Sequence, residues 1–262
     1  MAGASEPLEA PLEAHQIGKS FVTDDGEALE IIRSVSFSLH HGEVVSIVGP
    51  SGCGKTTLLN LLCRIIEPSR GAVMWHGQEL GGVPPSVGYM LQNDLLLPWR
   101  TALGNVMLGL QVKGTPRAPR LRRARELLET LGLVGFAEHY PSTLSGGMRQ
   151  RVALARTLAP DPEVLLFDEP FSALDFQTKI LIERDMLRLV REQRRSLLLI
   201  THDVEEAVCL SDRVIVLSQR PCSIVAEHTI DLPGDRSNLI ALRESAGFAQ
   251  HVRQIWAELD IR

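Results

Sequence analysis

No stretch of this sequence approaches the roughly 20 consecutive apolar residues needed to cross a bilayer, so any business with a membrane must go through a partner. The opening, Met1 to Ala14, is acidic and rich in Ala and Pro. It has neither the basic start nor the apolar run of a signal peptide, and its composition reads as disordered. Cysteine is scarce: Cys53, Cys63, Cys209 and Cys222 form no CxxC pair and no zinc spacing, which fits reduced thiols in a cytosolic protein. Positive charge is in deficit, with 27 Lys and Arg against 32 Asp and Glu, a formal net charge of -5. Nothing therefore draws the whole chain to nucleic acid or anionic lipid, and no nucleic-acid partner is expected. Any anion must be held by a local constellation. Internal repeats and low-complexity tracts are missing as well.

The length of 262 residues suits one large α/β domain or two modest ones. Ile17 to Phe37 alternates apolar and polar residues around Asp24-Asp25-Gly26, which predicts two antiparallel strands. Four short apolar runs follow: Val44–Val48, Val164–Phe167, Leu197–Ile200 and Val214–Leu217. Separated by helical stretches, they predict a mostly parallel sheet covered on both faces. Helix formers dominate from about 93 to 150, with Arg122–Leu128 clearest, which predicts a helical subdomain inserted into the core. The domain is expected to run from 15 to 235 after a disordered 1–14, with an amphipathic helical tail over 236–262.

Ligands of such sheets gather at the carboxyl ends of the strands, and the chemistry-bearing residues fall there. Gly49-Pro50-Ser51-Gly52-Cys53-Gly54-Lys55-Thr56 matches G-x-x-x-x-G-K-[ST] at every fixed position, between a strand and a helix. The glycines let backbone N–H groups converge on phosphate oxygens, and the following helix adds its dipole. Lys55 would reach the β- and γ-phosphates, and the Thr56 hydroxyl would ligate Mg²⁺. A chance glycine loop is the competing explanation, and the strand–loop–helix context argues against it. At the next strand end Asp168 can hold Mg²⁺ through water while Glu169 polarises the attacking water. Two solvated helix-capping acids would not explain the apolar run that leads into them. His202 ends a third strand, and that position alone lifts it above a structural histidine.

Leu144-Ser145-Gly146-Gly147-Met148-Arg149-Gln150-Arg151 resembles the signature sequence of ATP-binding-cassette (ABC) ATPases. The family's other parts stand in order: Gln92 looks like the Q-loop glutamine, Ser172-Ala173-Leu174-Asp175 like the D-loop, Thr201-His202-Asp203 like the switch-histidine segment. The resemblance spans about Ile17 to Leu232 and implies a P-loop NTPase core with an antiparallel β subdomain and an α-helical insert. It further implies ATP as ligand, with Phe21 stacking on adenine, Thr57 joining the loop contacts, and Gln92 joining Thr56 and Asp168 at Mg²⁺. Glu169, His202 and Gln92 would carry the catalysis. Ser145, Gly146, Gly147 and Asp175 would close on the nucleotide of a second copy, in a head-to-tail homodimer. A lone helix cap would leave Ser-Gly-Gly unexplained beside a complete phosphate loop.

Leu96-Leu97-Pro98-Trp99-Arg100-Thr101, Leu217–Pro221 and Ile230–Pro233 resemble the nitrate/sulfonate/taurine importer ATPases; Cys222 departs from them, where relatives often carry Gly. This branch implies a peripheral subunit on the cytoplasmic face of the inner membrane, bound to an integral-membrane permease and indirectly served by a solute-binding protein. Most of the Leu95–Thr101 apolar patch would pack within the insert, with some left for a permease helix. The basic run Arg117–Arg125 reads as a solvated helix face, and His40-His41 is given no metal role. The other classes weighed are an ABC ATPase of DNA repair, chromosome structure or translation, and a regulatory module without turnover. Repair-type cassettes carry long coiled-coil inserts or paired cassettes, and a silent module would lack Glu169 or His202.

Overall fold

The structure, a computed structural model, describes residues 10–172, 174–232 and 238–259. Ala173 of the D-loop segment, Pro233 and the expected 235/236 boundary lie outside the described residues.

Two long strands, β1 (Leu12–Val22) and β2 (Ala28–Leu39), pair antiparallel around a turn at 23–27. The β1 ladder begins earlier than composition suggested. Leu12 and Ala14 are buried, pairing on one side with Leu39 and Phe37 and on the other with Trp75 and Val73. The expectation of disorder through residue 14 therefore fails for Leu12–Ala14: burial between two partner strands overrides a weak local composition signal. β4 (Arg70–Trp75) and β5 (Gln78–Glu79) complete this antiparallel region.

The remaining strands are β3 (Val44–Val48), β6 (Val87–Met90), β7 (Val164–Asp168), β8 (Ser196–Ile200), β9 (Arg213–Leu217) and β10 (Cys222–Thr229). They extend the same sheet in the order β5-β4-β1-β2-β10-β9-β3-β8-β7-β6, parallel from β9 to β6. The parallel strands are predominantly apolar because both of their faces are covered. Val45, Ile47, Leu166, Leu198 and Ile215 point toward α1 (Lys55–Leu62), whereas Val44, Val48, Leu165, Phe167, Leu199 and Val216 join a second core on the opposite face.

That second core is roofed by helices. The insert contributes α2 (Ala102–Val106), α3 (Leu108–Val112), α4 (Arg117–Thr130) and α5 (Gly146–Leu158). The main domain adds α6 (Phe176–Glu192) and α7 (Val204–Leu210), and the tail α8 (Leu239–Arg243) and α9 (Ala246–Glu258). No helix among the described residues is long and apolar enough to cross a membrane. Because β3, β7 and β8 run parallel, Gly49, Asp168 and Thr201 emerge at one edge of the sheet.

Candidate nucleotide site

The loop after β3 turns sharply into α1. Gly54 caps that helix at φ 119°, where a Cβ would lie 2.9 Å from Ile31 Cγ2, so glycine answers both a backbone and a steric demand. Lys55 is buried; its Nζ donates to the carbonyls of Gly49 at 2.8 Å and Pro50 at 3.0 Å. A cavity of about 340 Å³ lies over the loop, lined by Ser51, Gly52, Gly54, Lys55, Thr56 and Thr57 together with Ile31, Glu169 and Arg220. Phe21 is not among the lining residues. It lies across the ladder from Leu29, half-exposed, with Lys19 Nζ 5.0 Å from its ring centroid. Cys53 is buried, and burial raises its thiol pKa, so it acts as packing rather than as a nucleophile.

Asp168, the last residue of β7, is buried, and burial pushes its carboxyl up. The Thr56 hydroxyl bonded to it and Lys55 nearby hold it down, while neighbouring Glu169 pushes the same way as burial. Glu169 leaves the strand at φ 44°, a left-handed turn that separates its direction from that of Asp168. Its N–H donates to the Ile200 carbonyl at 2.8 Å, tying β7 to the end of β8. Two polar side chains converge on its carboxylate: Gln92 Nε2 at 3.4 Å and His202 Nδ1 at 3.0 Å. Residues 77 and 33 positions away in sequence thus meet at one oxygen, Oε2.

The Ser-Gly-Gly segment is elsewhere. Ser145 caps α5, its hydroxyl accepting from Met148 N at 3.3 Å, and Asp175 caps α6, accepting from Thr178 N at 3.0 Å. The two helix starts are in close contact, since a Cβ on Gly147 would fall 2.6 Å from Thr178 Cγ2. A separate cleft of about 460 Å³ is lined by Ser145, Gly146, Gly147, Leu174, Asp175 and Thr178, among others. None of its lining residues is shared with the loop cavity.

These parts match known proteins. Residues 32–172 match the family described as ABC transporter. Over 224 residues the chain is 43% identical to the nitrate import ATP-binding protein of Synechocystis sp., covering 86% of this chain and 84% of that one. It is 43% identical over 222 residues to the taurine import ATP-binding protein of Burkholderia thailandensis, with 85% of each covered. An ATP-binding cassette solved as a dimer in a post-hydrolysis state with ADP and Pi superposes with TM-score 0.74 at 31% identity, covering 84% of this chain and 99% of that one.

The chain belongs to the ABC transporter family. As a cassette of that family it is an ATP-binding ATPase with a P-loop NTPase fold.

Sequence reasoning missed several residues of this cassette. Arg220 and Ile31 line the loop cavity. Arg149 Nε donates to Asp94 at 2.9 Å, and Arg156 donates to the carbonyls of Asp94 and Leu95 at 2.6 and 2.7 Å, so α5 grips the segment after Gln92. Behind His202, Lys179 is ion-paired with Asp203 at 2.7 Å and Glu206 at 2.8 Å. Lys179 also sits 3.7 Å from the buried Glu183, which Arg243 of the tail reaches at 3.1 Å. The only advance sign was the Lys179/Glu183 spacing of one helical turn, which ordinarily marks a solvated pair.

Proposed function

We propose that the chain is the ATP-hydrolysing subunit of an importer for a small solute of the sulfonate, nitrate or taurine type. It works as a homodimer on the cytoplasmic face of the inner membrane, docked on a separate permease fed by a solute-binding protein. The relatives named above support the branch. Leu95 and Trp99, exposed beside the Q-loop segment, offer the permease an apolar foothold.

In this reading Lys55 moves from the Gly49 and Pro50 carbonyls to the β- and γ-phosphates. Phe21 and Leu29, facing each other across the ladder with Ile31 on the same side of β2, form the platform for adenine. The residues present suit Mg²⁺, a hard cation that takes oxygen donors: Thr56 offers a hydroxyl, Asp168 a carboxylate whose burial is costly without a cation, and Gln92 an amide oxygen. When bound, Mg²⁺ supplies charge neutralisation between the phosphates.

Glu169 accepts a hydrogen bond from the attacking water and takes up its proton, while His202 holds the carboxylate's direction and contacts the γ-phosphate. Gln92 shares Glu169 with His202 and is anchored through Asp94 to α5. Nucleotide state is therefore felt by the helical insert and, through it, the permease. The separation of the Ser145–Gly147 cleft from the loop cavity is why a second copy is needed. ATP held in one subunit's loop meets the other subunit's Ser145, Gly146, Gly147 and Asp175. ATP then favours closure by its extra affinity for the closed state.

The convergence of Gln92 and His202 on Glu169 carries this proposal. Glu169→Gln keeps the hydrogen-bonding shape but removes the base. Steady-state ATPase is expected to fall ~10²–10⁴-fold with ATP binding retained, and a variant that turns over at the wild-type rate would remove Glu169 from the chemistry.

A further inference from the structure

The opposite edge of the sheet, away from the nucleotide, carries a cluster that ATP chemistry does not use. Three turns meet there. His41 lies in the turn between β2 and β3, His76 in the turn between β4 and β5, and Glu163 immediately before β7. Their side-chain donor atoms all lie within 4.8 Å of one another. His76 Nε2 is 3.1 Å and His41 Nδ1 3.6 Å from the Glu163 carboxylate, and the two imidazole centroids are 5.6 Å apart.

The backbone at each corner is pinned. Glu163 N donates to the Ser86 carbonyl at 2.9 Å and to Ser86 Oγ at 3.0 Å, and the Glu163 carbonyl accepts from Ser196 N at 3.2 Å. Gly42, next to His41, donates to Ser196 Oγ at 3.1 Å. His76, at φ 47°, donates its N–H to the Pro11 carbonyl at 3.2 Å. The corners are thus fixed to the sheet while the side chains stay accessible, with 42%, 40% and 32% of their surface exposed for His41, His76 and Glu163.

We propose that His41, His76 and Glu163 form a binding site for a divalent transition metal ion of the zinc type. Two borderline imidazole nitrogens beside one hard carboxylate suit Zn²⁺, Ni²⁺ or Cu²⁺ rather than Mg²⁺ or Ca²⁺, which prefer oxygen alone. Three protein ligands on an exposed edge leave the remaining position to water. The ordinary alternative is a surface ion pair between Glu163 and one histidine. Glu163 can pair with either imidazole, but such pairing alone gives no reason for the two rings to sit 5.6 Å apart, with all three donor atoms within 4.8 Å of one another.

Bonds of about 2.0–2.2 Å put tetrahedral ligand atoms about 3.3 Å apart, so the widest separation must close by about 1.5 Å. Rotation of half-exposed side chains supplies that without moving the pinned backbone. The ion would clamp the β4–β5 hairpin of the antiparallel region to the start of β7 in the parallel core. A metal role was withheld from His41 on sequence grounds because its partners are 35 and 122 positions away and invisible until the chain folds.

The test is zinc binding by the full chain, stripped of metal and kept in excess Mg²⁺, followed by calorimetry and by thermal unfolding with and without Zn²⁺. The variants are His41→Gln, Glu163→Gln and His76→Asn, the last because Asn tolerates the left-handed turn. Replacing even an outer partner of a metal ligand costs about 10–100-fold in affinity. Each variant should therefore bind zinc more than about tenfold more weakly and lose the zinc-induced rise in melting temperature, while melting like wild type without zinc. The Glu169→Gln variant, altered at the separate Glu169–His202 pair, should keep the site. Equal zinc affinity in wild type and the His41→Gln/His76→Asn double variant, or no binding by wild type, would overturn the proposal and leave the ion pair.

Discussion

Glu206 shows how one residue behind the site can set its stability. It is 3% exposed, accepts from the Thr201 hydroxyl at 2.9 Å, and shares Lys179 with Asp203. Burial pushes its carboxyl up to about 7 from the ordinary 4.5, against the pull of Lys179. Around this point three carboxylates (Glu183, Asp203, Glu206) face two cations (Lys179, Arg243), so a proton on Glu206 relieves an excess of negative charge. With the folded value above the unfolded one, the folded state binds more protons between pH 4.5 and about 7. Stability from this group is full below that window and declines as pH rises through it. Melting temperature followed across the window should show that decline in wild type and a flatter profile in Glu206→Gln; identical slopes would place the titration elsewhere. Beyond the one-turn spacing of Lys179 and Glu183, this network was not readable beforehand. Lys55, Thr56 and the glycines are legible because eight consecutive residues build the loop, whereas the charges around Lys179 come from three helices and in one dimension look like ordinary solvent-facing side chains.

At the scale of elements, two contacts decide how helices are held to the site. Gly147 lets α5 start against α6, and Gly147→Ala drives a methyl into Thr178. Overpacking of this kind costs about 1–3 kcal/mol. The expected result is a folded cassette with slightly lowered melting temperature and a larger loss of ATPase activity, because the Ser145 and Asp175 caps separate. Arg243 ties α8 to the fully buried Glu183. Severing a buried pair costs about 3–5 kcal/mol; Arg243→Ala should fall below that in urea unfolding, since Lys179 remains 3.7 Å from Glu183. The parallel strands were legible because burial on both faces writes continuous apolar runs. The start of β1 was not, because Leu12 and Ala14 are apolar only in alternation and sit in a segment whose composition favours disorder.

For the whole molecule, the governing fact is that the Lys55 loop and the Ser145–Gly147 segment line separate clefts of one chain. The sequence displayed both motifs, and the family resemblance supplied their assembly across two copies; only the folded chain shows the Q-loop glutamine and the switch histidine sharing one carboxylate. Lys55→Ala disables the loop and Ser145→Arg disables the opposing cleft, so each variant alone should be inactive. Mixing the two separates assembly across copies from any arrangement within one. If ATP is gripped between subunits, heterodimers carry one site with intact Lys55 and Ser145, and ATPase activity reappears on mixing. Should the mixture stay as inactive as its components while each variant remains folded, nucleotide is not held between Lys55 of one copy and Ser145 of the other.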